Sequence, residues 1–277
     1  MIKTTWKRKD LSKRVWEIDR LRGLAIFLMV LDHLAFDFAY LLPERFYNFY
    51  SVHNPFINFL HNLCWRVEGS FPLLVLHYIF SSLFFVLSGI SCSFSKNNFL
   101  HSAKIRIGCA LLDSVTYALY YASGKALDER ILFGVLFALG RGVFFVALRN
   151  KFVKDNARIL FALSVFLFCI CISFGLYSSD SYIDEIASWS DFLSLLTGSE
   201  CFGADFFPLV PYLAPRFLGA AIGKTVYKEK KSLIPFGRSF FTPLCFIGRN
   251  TRWVYLLHQP VFLLLILLLA LPRGYRF

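Results

Sequence analysis

The chain has 277 residues, of which 57% are hydrophobic and 18% aromatic, and its mean hydropathy is +0.56. Only 17% of the residues are charged, which excludes an ordinary soluble domain. The net charge of +12 would suit a nucleic-acid-binding protein, but the basic residues cluster beside apolar runs, as they do in the inner loops of membrane proteins. We therefore predict an all-α, polytopic helical bundle in a lipid bilayer, with no nucleic-acid partner.

Seven apolar stretches follow a basic lead at residues 1–18, which we predict to be cytoplasmic. We place transmembrane helices at about residues 21–42, 71–94, 105–122, 131–148, 159–177, 206–226 and 244–271. Lysine and arginine concentrate in alternate loops, which predicts an N-terminus inside and a C-terminus outside. No internal repeat or second soluble domain is visible, so residues 1–277 are predicted to form a single membrane domain.

Proline, glycine and charge patterns give local predictions. The first span is expected to stop at Pro43, and residues 183–196 are expected to form an amphipathic helix on the outer surface. Gly219 and Gly223 are spaced to form a close-packing face in the sixth span. That span is also expected to be broken or bent by three prolines, Pro208, Pro211 and Pro215.

The first span carries ionisable residues where a lipid-facing helix carries none. Arg22 lies near its start, and Asp32, His33 and Asp37 lie in or beyond its middle. Such residues face a polar interior and mark functional sites by default. Arg22 and His33 are separated by roughly 16 Å along the helix, which places one near an interface and the other near mid-membrane. Asp37 shares a helix face with His33 and can fix its tautomer, although Asp32 remains an alternative partner.

Further polar residues in the spans suit an acyl-transfer site. Arg141 lies between two glycines, where it either approaches an anion or extends to the headgroups, and Arg249 lies at the start of the last span. Inner arginines suit a phosphate-rich donor. His258 is a second mid-membrane imidazole, and Gln259 beside it can stabilise an oxyanion. With His33 as general base for an acceptor hydroxyl or amine, this layout predicts an acyl-CoA transferase.

Five segments of the chain also carry a family resemblance. In order, they read WEIDRLRGLAIFLMVLDHLAFD, FFVLSGISCSFS, ILFGVLFALG, DFFPLVPYL and FIGRNTRWVYLLHQPV. They resemble a bacterial membrane family related to the catalytic domain of heparan-α-glucosaminide N-acetyltransferase, and the resemblance covers nearly the whole chain. The spacing from Arg22 to His33 is similar to that of a broader membrane acyltransferase superfamily, which moves acyl groups from cytoplasmic acyl-CoA to extracytoplasmic glycans.

The resemblance implies a catalytic His33 and a donor-side Arg22. It further places four residues in the site: Asp37, Asp205, His258 and Gln259. It implies acetyl-CoA as co-substrate without a metal, an envelope glycan or lipid-linked sugar as acceptor, and location in a bacterial cytoplasmic membrane, with homo-oligomerisation left open. This chain has Phe137 where relatives often carry a histidine.

Two other readings explain the same pattern. Broken helices with mid-membrane ionisable residues also line the substrate pathways of transporters, although this sequence shows no inverted repeat. A non-catalytic membrane protein is the third reading, in which the polar residues serve only to join the spans.

Overall fold

The computed structural model describes residues 14–123, 130–153, 156–176, 181–203, 205–234 and 242–276. Most of the basic lead predicted at residues 1–18 therefore lies outside the described residues. The described residues are largely helical and contain no strand, apart from an isolated bridge between Tyr182 and Cys201. The all-α prediction is confirmed.

The helices follow in chain order, with a π-helical segment (Asp37–Leu41) after the first and a 3-10 turn (Leu271–Arg273) after the last. They are α1 (Trp16–Phe36), α2 (Leu42–Arg45), α3 (Pro55–Glu68), α4 (Phe71–Phe94), α5 (Asn98–Ala122), α6 (Val135–Phe152), α7 (Ala157–Ser173), α8 (Trp189–Thr197), α9 (Leu209–Thr225), α10 (Thr242–Arg249) and α11 (Thr251–Ala270).

The chain divides into two compact units, each with its own core. The first unit comprises the described residues of Met1–Phe84 and Ser232–Phe277, and the second those of Phe85–Lys231. The first core includes Phe38, Leu42, Phe46, Ile57 and Tyr275. The second core includes Phe133, Val143, Leu160, Leu195 and Phe217.

Three helical stretches of the described chain are long and apolar enough to cross a membrane. They are Trp16–Arg45, Phe71–Phe94 and Thr251–Arg273, which coincide with the first, second and last predicted spans. The other predicted spans fall on helices that are shorter, such as α7, or carry more charge, such as α5. Isolated apolar side chains are common on soluble proteins, but α5 exposes a stripe at every fourth residue. This stripe consists of Ile107, Leu111, Val115 and Leu119. The chain is a membrane protein.

The predicted stop at Pro43 is wrong, because the helical path continues to Arg45. The π-helical segment explains this: the Leu42 N–H bonds to the Asp37 carbonyl five residues earlier, so the backbone turn is wider than in an α-helix. A wider turn relieves the clash that a proline ring makes with the carbonyl four residues before it. Pro43 then occupies the first turn of α2, where its missing N–H is tolerated.

The three prolines of the sixth span do not unwind it. Pro208 is the N-terminal cap of α9 and Pro211 lies in its first turn, where helices accept proline. Pro215 lies inside the helix, which is nevertheless continuous from Leu209 to Thr225. A break within Leu209–Thr225 is therefore wrong, whereas a bend at Pro215 stays a prediction.

Several helices begin or end at residues other than the predicted ones, and in two cases a capping hydrogen bond determines where the helix begins. Asn97 accepts a hydrogen bond from the Leu100 N–H at 3.0 Å, which starts α5 at Asn98 instead of residue 105. The predicted 183–196 helix begins only at Trp189, because Ser188 and Asp191 form a capping box. The predicted last span, 244–271, is divided at residue 250 into α10 and α11.

Glycines allow the closest helix contacts in each unit. A Cβ added to Gly219 of α9 would overlap the Val86 carbonyl of α4, which confirms the predicted packing face in the second unit. In the first unit, a Cβ at Gly23 of α1 would overlap the Leu244 carbonyl, and a Cβ at Gly248 would overlap the Asp19 carbonyl. These two glycines hold α10 directly against the amino-terminal part of α1.

Candidate active site

Two histidines meet inside the first unit. The ring centroids of His33 on α1 and His258 on α11 lie 5.0 Å apart, with the rings nearly perpendicular at 73°. Nδ1 of His33 lies 3.1 Å from the Met29 carbonyl oxygen, and Nδ1 of His258 lies 2.6 Å from that of Tyr255. Because a carbonyl oxygen only accepts, Nδ1 of each neutral ring carries the hydrogen and Nε2 carries the basic lone pair. Each ring is thus oriented by the main chain of its own helix.

A carboxylate and an amide pair on the same two helices. Gln259 Nε2 donates to Asp37 Oδ1 at 3.4 Å, and Asp37 is 1% exposed. Asp37 begins the π-helical segment, a kind of irregularity often found at functional sites. The structure therefore pairs His33 of α1 with His258 of α11, and Asp37 of the π-helical segment with Gln259 of α11.

A main-chain carbonyl, and not the predicted carboxylate, determines the tautomer of His33. The Met29 carbonyl occupies the Nδ1 position that we expected a carboxylate to occupy. The two candidate carboxylates have other partners: Asp37 accepts from Gln259, and Asp32 Oδ2 lies 2.9 Å from Nδ1 of His77. Side chains one residue apart on a helix point about 100° apart, which carries Asp32 away from the face of His33.

Charged residues surround the amino-terminal end of α1. Asp19 receives a bidentate pair of hydrogen bonds at 2.7 Å from Arg14 and lies 3.4 Å from Nη1 of Arg22. Arg249 follows Gly248, whose backbone contacts Asp19. The two predicted donor-side arginines therefore lie at the same end of α1, about three helical turns from His33.

An open cavity lies beyond the other end of α1. It has a volume of about 490 Å³ and combines aromatic faces with polar groups. Its lining includes Tyr40, Glu44, Tyr50, His61, Asn62 and Trp65. The rings of Tyr40 and Trp65 lie 5.1 Å apart, and Tyr40 is only three residues after Asp37. Polar groups arranged between aromatic faces are typical of small-molecule sites.

Comparison with known proteins gives a match to a family model. The family described as "Heparan-alpha-glucosaminide N-acetyltransferase, catalytic" matches residues 14–260. The chain belongs to this family. No curated protein and no solved structure matches the chain. Membership confirms the resemblance predicted from the five sequence segments and shows a membrane acetyltransferase-like protein.

Two of the predicted site residues, Asp205 and Arg141, lie in the second unit. Asp205 Oδ2 accepts from the Val135 N–H at 3.2 Å, so this carboxylate caps the amino end of α6. Arg141 lies over the ring of Phe137, with 3.4 Å between Cζ and the ring centroid. Phe137 thus supplies an aromatic face for a cation.

Sequence reasoning missed two polar features of this family member. One is the Asp32–His77 pair of the first unit. The other is Arg216 on α9, which is 0% exposed and donates from Nη1 to the Leu139 carbonyl at 3.0 Å, with its Cζ 5.1 Å from the Phe85 ring centroid. His77 and Arg216 are both ionisable residues within predicted spans, which is the signal that identified His33.

Proposed function

We propose that the chain is an integral membrane acyltransferase that moves an acetyl or other short acyl group from cytoplasmic acyl-CoA to a sugar hydroxyl or amine of the cell envelope, in a bacterial cytoplasmic membrane. The observation that carries this proposal is the pairing of the partly buried His33 with the buried His258, beside Asp37 and Gln259, in a member of this family. Two oriented imidazoles and a carboxylate can move the proton that acyl transfer requires.

The proposed reaction follows from the orientation of these groups. Nε2 of His33 removes the proton of the acceptor hydroxyl or amine, whose oxygen or nitrogen attacks the thioester carbonyl carbon. The carbon–sulfur bond breaks, and CoA leaves as a thiolate that then takes up a proton. Gln259 donates a hydrogen bond to the oxyanion, and the Asp37 carboxylate lies one helical turn from His33.

The arginines at the amino-terminal end of α1 are proposed to hold the donor. Arg22 and Arg249 would contact the phosphates of CoA, because a guanidinium binds phosphate through paired hydrogen bonds. The distance of about three helical turns to His33 suits an elongated donor that carries its thioester at one end. A donor-binding role for Arg141 stays a prediction from the sequence.

The seven-span topology with a cytoplasmic N-terminus belongs to this proposal. The outward apolar stripe of α5 and the exposed Phe161 and Phe166 of α7 support further spans besides the three long apolar helices. A donor site at the amino-terminal end of α1 would then face the cytoplasm, and the aromatic cavity would face outward. The family match runs through both units, which supports a single functional domain over residues 1–277.

We expect Trp65→Ala to weaken acceptor binding. The cavity that contains Trp65 and Asn62 would hold the sugar, because pyranose rings stack on aromatic faces while amides and carboxylates bind their hydroxyls. Loss of one stacking face should raise the acceptor KM about tenfold and leave the acyl-CoA KM unchanged. Steady-state kinetics with methyl glycosides measure both constants. Trp189→Ala, which removes an exposed tryptophan of α8, is the matched control, and an unchanged acceptor KM for Trp65→Ala would contradict the assignment.

A transporter is the competing function, and the division of the last predicted span into α10 and α11 favours it. Sealed proteoliposomes distinguish the two. They are supplied with radiolabelled acetyl-CoA outside and a methyl glycoside on either side. Label that appears on the glycoside together with free CoA supports the transferase. Net movement of unmodified glycoside across the membrane, without CoA release, would support the transporter.

A further inference from the structure

A second group of ionisable side chains lies in the first unit, in three different helices. Asp32 belongs to α1, Glu68 ends α3, and His77 lies in the second turn of α4. The Asp32 side chain is 18% exposed and that of His77 39%, so the pair is shielded but reachable by small molecules. The proposed function assigns no role to these residues.

The Asp32–His77 pair has the geometry of a proton acceptor. Nδ1 of His77 lies 2.9 Å from Oδ2 of Asp32, which leaves Nε2 with the basic lone pair. A carboxylate at Nδ1 also stabilises the imidazolium that forms when Nε2 takes up a proton. In His33 and His258, Nδ1 instead contacts a main-chain carbonyl oxygen. A carbonyl oxygen carries only a partial negative charge, whereas the Asp32 carboxylate carries a full one. His77 is therefore better suited to hold a proton between two transfer steps.

Glu68 supplies a third group that exchanges protons near neutral pH. Its Oε1 is buried and has no hydrogen-bond partner within the described chain. Burial and the charge of Asp32 raise the pKa of Glu68 to about 7, whereas His77 acts in the opposite direction. The thiol of Cys64, one turn earlier on α3, also interacts with Glu68, and burial raises its pKa. Glu68 is consequently protonated below about pH 7 and ionised above it.

We propose that Asp32, His77 and Glu68 form a proton relay that passes the proton taken from the acceptor by His33 to water at the corner between α3 and α4. The inference rests on the proposed acyl transfer. Asp32 directly precedes His33 in α1 but points about 100° away from it, so water between the two groups carries the proton from His33 to the Asp32–His77 pair. The proton moves from the acceptor to His33, then through this water to His77, then to Glu68 and the surrounding water. The CoA thiolate separately gains its proton from water on the donor side, so each turnover removes one proton from the acceptor and adds one to CoA.

The pH dependence of turnover tests the relay. In the wild type, kcat should rise with pH to a plateau with a midpoint near 7, because only ionised Glu68 accepts a proton. Glu68→Gln should lose this limb and lower kcat about tenfold, and Glu229→Gln, an exposed carboxylate of the second unit, is the control. His77→Ala should lower kcat by about tenfold to a hundredfold, with recovery when imidazole is added. A structural role for His77 would give no recovery.

A measurement without substrate separates this inference from the proposed function. The infrared carbonyl band of a protonated carboxylic acid, present in the wild type and missing in Glu68→Gln, should titrate with a midpoint of about 7. If this band does not titrate between roughly pH 6 and 8, or if His77→Ala keeps the wild-type pH profile, the relay is refuted while acyl transfer stands. If the wild type transfers no acyl group to any acceptor, both proposals fail.

Discussion

Replacing His33 by alanine is expected to lower acyl transfer by about a hundredfold to ten-thousandfold, the range that a positioned general base contributes. The change removes the lone pair that deprotonates the acceptor and also the ring that packs against His258 at 5.0 Å. The measurement is kcat for CoA release in the presence of a methyl glycoside, with protein purified in nanodiscs. The acyl-CoA Kd should change little, because the proposed donor contacts lie about three turns away.

The control for this variant is His53→Ala, an exposed histidine between α2 and α3 of the same unit. It should keep wild-type activity. Thermal unfolding of both variants separates chemistry from folding. If His33→Ala retains wild-type turnover with unchanged stability, His33 is not the base, and His258 or His77 would have to be tested in its place.

Gly248→Leu is expected to prevent stable folding of the first unit. The backbone of α10 contacts the Asp19 carbonyl so closely that even one Cβ atom would overlap it, and a main-chain carbonyl cannot move aside as a flexible side chain can. Even moderate overpacking costs about 1–3 kcal/mol, and a leucine here would separate the two helices. We expect a loss of monodisperse protein on detergent extraction and a Tm lowered by at least about 5 °C.

Gly108→Ala is the matched control, because nothing lies within 4 Å of the Cβ added at this helical glycine of α5. Replacing glycine by alanine in an open helix position gains up to about 1 kcal/mol, so this variant should be as stable as the wild type or slightly more so. A Gly248→Leu protein that extracts and melts like the wild type would show that α10 does not pack on α1 as described.

The sequence predicted the helical class, three of the long apolar helices and the residues of the histidine pair. These succeed because a long apolar run has one stable form in lipid, and because an ionisable residue such as His33 within such a run must face protein. The separation of about three helical turns between Arg22 and His33 follows from the helical rise alone. The close glycine face of α9 was predictable for the same reason, since Gly219 and Gly223 recur at a fixed helical spacing.

Other features depended on contacts that one sequence does not encode locally. The helix continues past Pro43 because the preceding segment, Asp37–Leu41, forms a π-helical turn. No helix-propensity rule identifies that turn from the sequence. The Asp32–His77 pair joins positions 45 residues apart, so helical spacing, which favoured Asp37 as the partner of His33, could not find it. The capping role of Asp205 likewise depends on a distant segment, because the α6 terminus it caps lies 70 residues earlier.

The most direct test of the account is the stoichiometry of acyl transfer by the wild-type protein in nanodiscs. Purified protein is incubated with radiolabelled acetyl-CoA and a panel of methyl glycosides that carry either a free amine or only hydroxyls. We expect one labelled ester or amide for each CoA thiol released, on at least one glycoside, and at least about a hundredfold less of both products with His33→Ala over the same time. Equal amounts of labelled acetate and CoA, with no labelled glycoside from any member of the panel, would contradict it.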